Sequence, residues 1–143
     1  MSTTSTIARI LQDARIIAIV GLSDKPERAS HQVADYLIAH GYRVVPVNPA
    51  LAGQQVLGQR VHATLADAAA FVAPARIDIV DVFRKADDIV PIASQAVAIK
   101  AGCLWLQLDV ANEDAAQIAR AGGLEVVMDH CTKIEHRNLQ AAA

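Results

Sequence analysis

The loop after the first predicted strand carries residue types that hold an anion. An apolar run, residues 16–20, is followed by Gly21, Ser23, Lys25 and Arg28 before a helix-like segment begins. Glycine permits a tight turn and close backbone approach, and a helix N-terminus offers unpaired N–H groups with partial positive charge. The two side-chain cations strengthen that field. The pattern therefore predicts a phosphate-binding loop.

The same loop lacks the fingerprint of dinucleotide-binding proteins. In the motif G-x-G-x-x-G, the second and third glycines would fall where Ser23 and Pro26 stand. The next strand ends at Asn48, whereas NAD enzymes usually place an acidic residue there to hold the ribose hydroxyls. The sequence thus predicts a phosphorylated ligand other than NAD(P), with NAD(P) binding kept as an alternative.

An alternation of strands and helices must position this loop. We predict strands at residues 16–20, 42–47, 61–62, 77–83, 103–108 and 124–128, and helices at 6–14, 30–40, 65–72, 86–101, 112–120 and 132–139. Such alternation is typical of an α/β fold, a mostly parallel sheet with helices on both faces. The composition, 53% hydrophobic but only 3% aromatic, suits a sheet buried on both sides. We expect one domain over 1–143, with 1–5 and 140–143 frayed.

Three local features carry their own expectations. Ser30 is a candidate N-cap of the helix that follows the loop. Pro46 lacks a ladder donor, so we expect the end of its strand to be irregular. In the strand at 77–83, Asp78 and Asp81 either alternate with the apolar residues or lie near the ends of a buried strand.

The carboxyl ends of the predicted strands define the candidate site. Ligands of open α/β sheets bind outside those ends, where the strand order reverses. A polyanion with an apolar arm would suit the residues there, which combine cations, small polar groups and apolar walls. The residues that follow the strands are Gly21, Leu22, Ser23, Lys25, Arg28 and Ser30, then Asn48 and Pro49, then Phe83 and Arg84, with Gln107 and residues 129–131 further along.

Charge and cysteine content narrow the class of protein. A net charge of −2 argues against general binding to nucleic acid or to an anionic membrane. The longest uncharged apolar run, residues 16–22, is far shorter than the ~20 residues of a membrane span. Two cysteines without a CxxC pair make no disulfide framework. We therefore expect a cytoplasmic protein.

The C-terminal segment offers soft ligands without a complete site. His130, Cys131 and His136 lie close in sequence, but no second cluster completes a tetrahedral metal set. We expect no metal. A Cys131–His130 nucleophilic pair would also need an orienting group and an oxyanion-binding loop, and neither can be named.

Much of the chain resembles a known family. The stretches that carry the likeness read IIAIVGLSDKPERASHQVADYLIAHGYRVVPVNP, VDVFRKADDI and LWLQLDVANEDAAQIARAGGLEVVMDHCTKIEH. Together they resemble the small stand-alone CoA-binding proteins, which are similar to the N-terminal domain of the succinyl-CoA synthetase α subunit. The likeness covers residues 7–139. It implies a Rossmann-like domain that holds coenzyme A, free or acylated, at the carboxyl edge of its sheet.

The resemblance also assigns roles. It implies that residues 21–25 and Arg28 take the phosphates, and that Val47, Asn48 and Pro49, with Phe83 and Arg84, line the nucleotide and pantetheine path. Cys131 resembles in position the Asn-Cys-Pro-Gly turn of the synthetase, but here the context is Asp-His-Cys-Thr.

The functional expectation is a CoA-binding module without catalysis of its own. It could serve as a carrier, a sensor or a partner subunit, with a protein partner or a second copy. The alternatives are an enzyme acting on CoA thioesters through Cys131 or His130, and a domain that acts through protein contacts with a vestigial cleft.

Overall fold

The sheet is parallel and doubly wound, as the alternating pattern predicts. The computed structural model describes residues 3–142. Five strands pair in the order β2-β1-β5-β6-β7, all parallel, and β3 and β4 form a separate antiparallel hairpin. The α/β fold class is therefore confirmed. The strands are β1 (Ile16–Val20), β2 (Arg43–Val47), β3 (Gln55–Val56), β4 (Gln59–Arg60), β5 (Ile79–Val82), β6 (Cys103–Leu106) and β7 (Glu125–Val127).

Helices cover both faces of this sheet. Helices α1, α2 and α6 pack on one face, and α3, α4 and α5 pack on the other. Two short 3-10 helices lie at Pro49–Leu51 and Ala86–Asp88. The α-helices are α1 (Thr3–Asp13), α2 (Ala29–Ala39), α3 (Leu65–Val72), α4 (Ile89–Ala98), α5 (Glu113–Ala121) and α6 (Thr132–Ala142).

The core is split into two aliphatic layers by the sheet. All five residues of β1 are buried, and they alternate between the layers: Ala18 packs under α3 and α4, while Ile17 and Ile19 pack under α1 and α2. Successive side chains of a strand point to opposite faces, so a strand buried on both sides is apolar at most or all of its positions. This explains the continuous apolar run in the sequence.

The outer edge of the sheet differs from expectation. Pro46 pairs in regular register with Ile19, because β2 is an edge strand and needs no donor on its outer side. There the Pro46 carbonyl accepts a hydrogen bond from the His62 N–H at 3.0 Å. The strand expected at 61–62 is a single bridge between His62 and Val47. The hairpin of β3 and β4 was not predicted.

The chain ends and one cap also need correction. Residues 3–5 belong to α1 and residues 140–142 belong to α6, so they are helical instead of frayed. Met1, Ser2 and Ala143 lie outside the described residues. Ser30 does not cap α2, which begins at Ala29 with Arg28 as its N-cap and no side-chain cap hydrogen bond. By contrast, Asn112 caps α5, its Oδ1 accepting from the Ala115 N–H at 2.9 Å.

A helix that spans a membrane must be both long and apolar. None of the helices within residues 3–142 combines the length and the apolar character that a bilayer-spanning helix requires.

Candidate functional site

The strand order reverses between β1 and β5, and a crevice opens at their carboxyl ends. Two adjoining cavities form it. The anion pocket, of about 310 Å³, is lined by Gly21, Ser23, Lys25, Arg28, Ala29, Ser30 and Phe83. The main cleft, of about 610 Å³, is lined by Ala29, Val33, Phe83, Arg84, Lys85, Asp88, Gln107, Leu108, Val110 and Cys131. Ala29 and Phe83 line both, so the two cavities form one continuous surface.

Gly21 makes the turn between β1 and the loop that lines the anion pocket. Its φ is +89°, a conformation that L side chains rarely adopt. A Cβ added there would lie 2.5 Å from the Phe83 carbonyl oxygen and 3.3 Å from Arg84 Nε. The Gly21 N–H donates to the Val47 carbonyl at 2.8 Å. Glycine is thus required by both backbone conformation and space.

Ser30 closes the loop from inside instead of capping the helix. This residue is 95% buried, and its Oγ accepts a hydrogen bond from the Ser23 N–H at 3.0 Å. Ser23 Oγ in turn accepts from the Lys25 N–H at 3.1 Å. These bonds fold the loop back over α2 and leave the first N–H groups of that helix without a side-chain acceptor at the pocket.

Four cations surround the crevice. Lys25, Arg28 and Lys85 are exposed and Arg84 is half-buried. Among the described residues, none of them forms an ion pair, although Arg84 could have paired with Asp87 or Asp88. Because no acidic side chain within residues 3–142 forms an ion pair with them, these charges favour an anion at the crevice.

The residues at the end of β2 hold the loop and do not line either cavity. Asn48 donates from Nδ2 to the Leu22 carbonyl at 3.0 Å, and its Oδ1 accepts from the Ala50 N–H at 3.0 Å. The side chains of Leu22 and Val47 are buried in the core. Pro49 is exposed. Of the candidate residues, the structure therefore brings together Gly21, Ser23, Lys25, Arg28, Ser30, Phe83 and Arg84, and places Leu22, Val47, Asn48 and Pro49 beside or behind them.

A buried carboxyl lies behind the main cleft, and the sequence analysis did not count it among the candidate site residues. Asp81 is fully buried as the next-to-last residue of β5, and Asp78 directly precedes the strand, so of the two expectations the structure agrees with a buried strand that has its aspartates near the ends. Gln107 Nε2 donates to Asp81 Oδ1 at 2.5 Å, and Thr132 Oγ1 donates to Asp81 Oδ2 at 2.8 Å. Burial raises the pKa of Asp81 to about 7, while the two hydrogen bonds oppose that shift. An acidic residue inside an otherwise apolar strand was the available signal.

The turn after β7 supplies the far wall of the main cleft. Trp105 is fully buried and donates from Nε1 to the His130 carbonyl at 2.8 Å, which fixes this turn. Cys131 is 9% exposed and lines the cleft. His130 Nδ1 lies 3.4 Å from Glu135 Oε2, and no hydrogen bond joins His130 to Cys131 within residues 3–142. The described part of the chain also contains no group of three His, Cys, Asp or Glu side chains placed to hold a metal ion.

Comparison with known sequences matches this chain to one family. The model of a CoA binding domain matches residues 15–137. The Bacillus subtilis protein YneT is 36% identical over 130 residues, which is 91% of each chain.

Comparison with solved structures gives the same fold at full length. A protein from Thermus thermophilus superposes with a TM-score of 0.88 at 31% identity, covering 96% of this chain and 99% of that one. A hypothetical protein from Pyrococcus horikoshii superposes with a TM-score of 0.88 at 35% identity, covering 97% of this chain and 93% of that one.

Proposed function

This chain belongs to the CoA-binding domain family, and from that premise we propose that it binds coenzyme A or an acyl-CoA in the crevice. We further propose that it acts as a binding module without catalysis of its own. One observation carries the proposal: a helix N-terminus without a side-chain cap, and cations that form no ion pair within residues 3–142, adjoin a cleft with largely apolar walls. A CoA molecule is complementary to both features, because it joins a negatively charged phosphorylated nucleotide to a long, largely apolar arm.

The anion pocket suits the phosphates. The N-terminus of α2 faces it, and backbone N–H groups at such an end bind anions without any side chain. Lys25 and Arg28 lie at the same pocket and have no competing acidic partner in the described residues. Charge-assisted hydrogen bonds from these groups to phosphate oxygens would supply much of the affinity.

The main cleft suits the pantetheine arm. Its walls include Val33, Phe83, Leu108 and Val110, and Leu108 is 50% exposed in the structure. Burial of apolar surface on both partners would favour an extended arm lying across this cleft. Cys131, which lines the cleft, would then lie beside the bound arm.

Catalysis on a CoA thioester is the second candidate, since Cys131 lines the main cleft. A nucleophilic thiol needs a base within hydrogen-bond reach. His130, its sequence neighbour, contacts Glu135 instead. We therefore expect no release of free CoA thiol from acetyl-CoA, and sustained release that is lost in Cys131→Ala would favour the enzyme.

The proposal predicts saturable binding of CoA. Titration of the purified protein by calorimetry should give a defined stoichiometry with CoA and acetyl-CoA. The affinities for NAD and ATP should be much lower. Rising salt should weaken CoA binding, because the phosphate contacts are electrostatic. Absence of saturable CoA binding would remove the proposal and favour a domain that acts through protein contacts.

The double substitution Lys25→Ala with Arg28→Ala should weaken CoA binding roughly 30-fold, corresponding to about 2 kcal/mol for two charge-assisted contacts. Both side chains are exposed, so thermal stability should change little. The same calorimetric titration measures the loss.

A matched control removes two other cations. Arg120 and Arg137 are exposed and line neither cavity, so Arg120→Ala with Arg137→Ala changes the net charge equally. This control should bind CoA nearly as well as wild type. Equal losses in the two double variants would show that net charge, and not the pocket, sets the affinity.

A further inference from the structure

Gln107 is a polar group set into the apolar wall of the main cleft. It follows β6 directly, is 95% buried and lines the cleft together with Phe83, Val110 and Cys131. Gln107 has no charge, so its contribution to a ligand must come through a hydrogen bond. The direction of its amide then decides which ligand groups it can bind.

The amide nitrogen of Gln107 is fully committed inside the protein. It donates to Asp81 Oδ1 at 2.5 Å and to Thr132 Oγ1 at 3.1 Å, which uses both of its protons. Thr132 donates its own proton to Asp81 Oδ2 at 2.8 Å. While Asp81 is ionised, the flipped amide would set its carbonyl oxygen against the carboxylate and against the Thr132 hydroxyl, whose proton is already donated to Asp81. The network therefore fixes the orientation of the Gln107 side chain.

The amide oxygen of Gln107 is left for the cleft. Among the described residues, no group donates a hydrogen bond to this oxygen. Only one side-chain nitrogen or oxygen within residues 3–142 is both fully buried and without a hydrogen-bond partner, and that atom is His62 Nε2. Gln107 Oε1 therefore retains contact with solvent, and the cleft is the cavity that Gln107 lines. A trigonal amide whose nitrogen faces Asp81 directs its oxygen away from that carboxyl.

We propose that Gln107 is a specificity-determining residue that accepts a hydrogen bond from an amide N–H of the ligand's arm, with Asp81 and Thr132 as positioning residues. This inference rests on the proposed binding of CoA. The pantetheine arm carries two secondary amides, whose N–H donors must find acceptors when the arm is buried. Gln107 Oε1 is such an acceptor within a mostly apolar surface. An arm of similar length without an N–H donor would leave that oxygen without a partner.

Two ligands separate the arm from the nucleotide. The variant Gln107→Met keeps the length of the side chain and removes both polar atoms. By calorimetry it should bind CoA roughly tenfold more weakly than wild type. It should bind 3′-phosphoadenosine 5′-diphosphate, the nucleotide part of CoA, as tightly as wild type does. The matched control Gln117→Met, on the exposed surface of α5, should leave both affinities unchanged.

A ligand-side test leaves the protein untouched, so it does not depend on the folding of a variant. CoA analogues in which one pantetheine amide is replaced by an ester lack that N–H. At least one of the two analogues should bind the wild-type protein roughly tenfold more weakly than CoA binds it. The Gln107→Met variant should bind that same analogue as tightly as it binds CoA.

The outcomes separate this inference from the proposed function. If wild type binds neither CoA nor the nucleotide, the proposed function fails and this inference fails with it. If wild type binds CoA but also binds both ester analogues equally well, CoA binding stands and the role of Gln107 is overturned. The same holds if Gln107→Met loses affinity for CoA and for the nucleotide to the same extent.

Discussion

Substituting Gly21 with alanine should destabilise the protein by roughly 2–4 kcal/mol and remove most of the proposed affinity for CoA. The positive φ of +89° strains any L residue, and the new Cβ would lie 2.5 Å from the Phe83 carbonyl oxygen. Relief of that contact must separate β1 from the segment after β5. The anion pocket lies on both of these segments, so its shape should change with the turn.

Gly41 provides the matched control. Its φ of +92° is nearly the same, but nothing lies within 4 Å of an added Cβ. Gly41→Ala should therefore show the conformational cost alone, about 1 kcal/mol, with CoA binding intact. Urea unfolding measures the stabilities and calorimetry measures the affinities. Equal costs at the two glycines would show that contact with Phe83 does not constrain the turn.

The second large effect concerns Asp81 and pH. Burial raises the pKa of this carboxyl from 3.8 to about 7 in the folded protein. The folded state then binds more protons than the unfolded chain between these values. The contribution of the Asp81 proton to the free energy of unfolding is fully present below pH 4 and is lost as the pH rises through 7. The total loss corresponds to about 4 kcal/mol.

Asp81→Asn should abolish that dependence. An asparagine can still accept from Gln107 and has no proton to lose. The free energy of unfolding of wild type, minus that of the variant, should fall as the pH rises from 4 to 8. Burial lowers the pKa values of His62 and His136, but both histidines are present in both proteins and cancel in the difference. Parallel pH profiles would contradict a buried, titrating Asp81.

Local patterns in the sequence were sufficient for most of the fold. Apolar runs of strand length separated by helical stretches predicted the parallel sheet, and residues 65–72 form a helix with the predicted bounds. The hairpin of β3 and β4 escaped because two-residue strands leave no periodicity to read. Ser30 was misassigned because a serine near a helix start satisfies the cap pattern equally well when it faces inward.

The loop proposed to bind phosphate could be predicted from the sequence because its residues are local: a glycine, two cations and a helix start lie within ten residues. The rest of the crevice depends on strands that meet only in the folded sheet. Gln107 and Thr132 lie 26 and 51 positions from Asp81, and no local pattern relates them. The α/β alternation, the aliphatic core and the loop with its glycine and two cations could be read from the sequence alone, since each follows from neighbouring residues. Only the tertiary structure, through the order β2-β1-β5-β6-β7, decided that Gly21 must accommodate Phe83 and that a buried carboxyl orients the amide in the cleft wall.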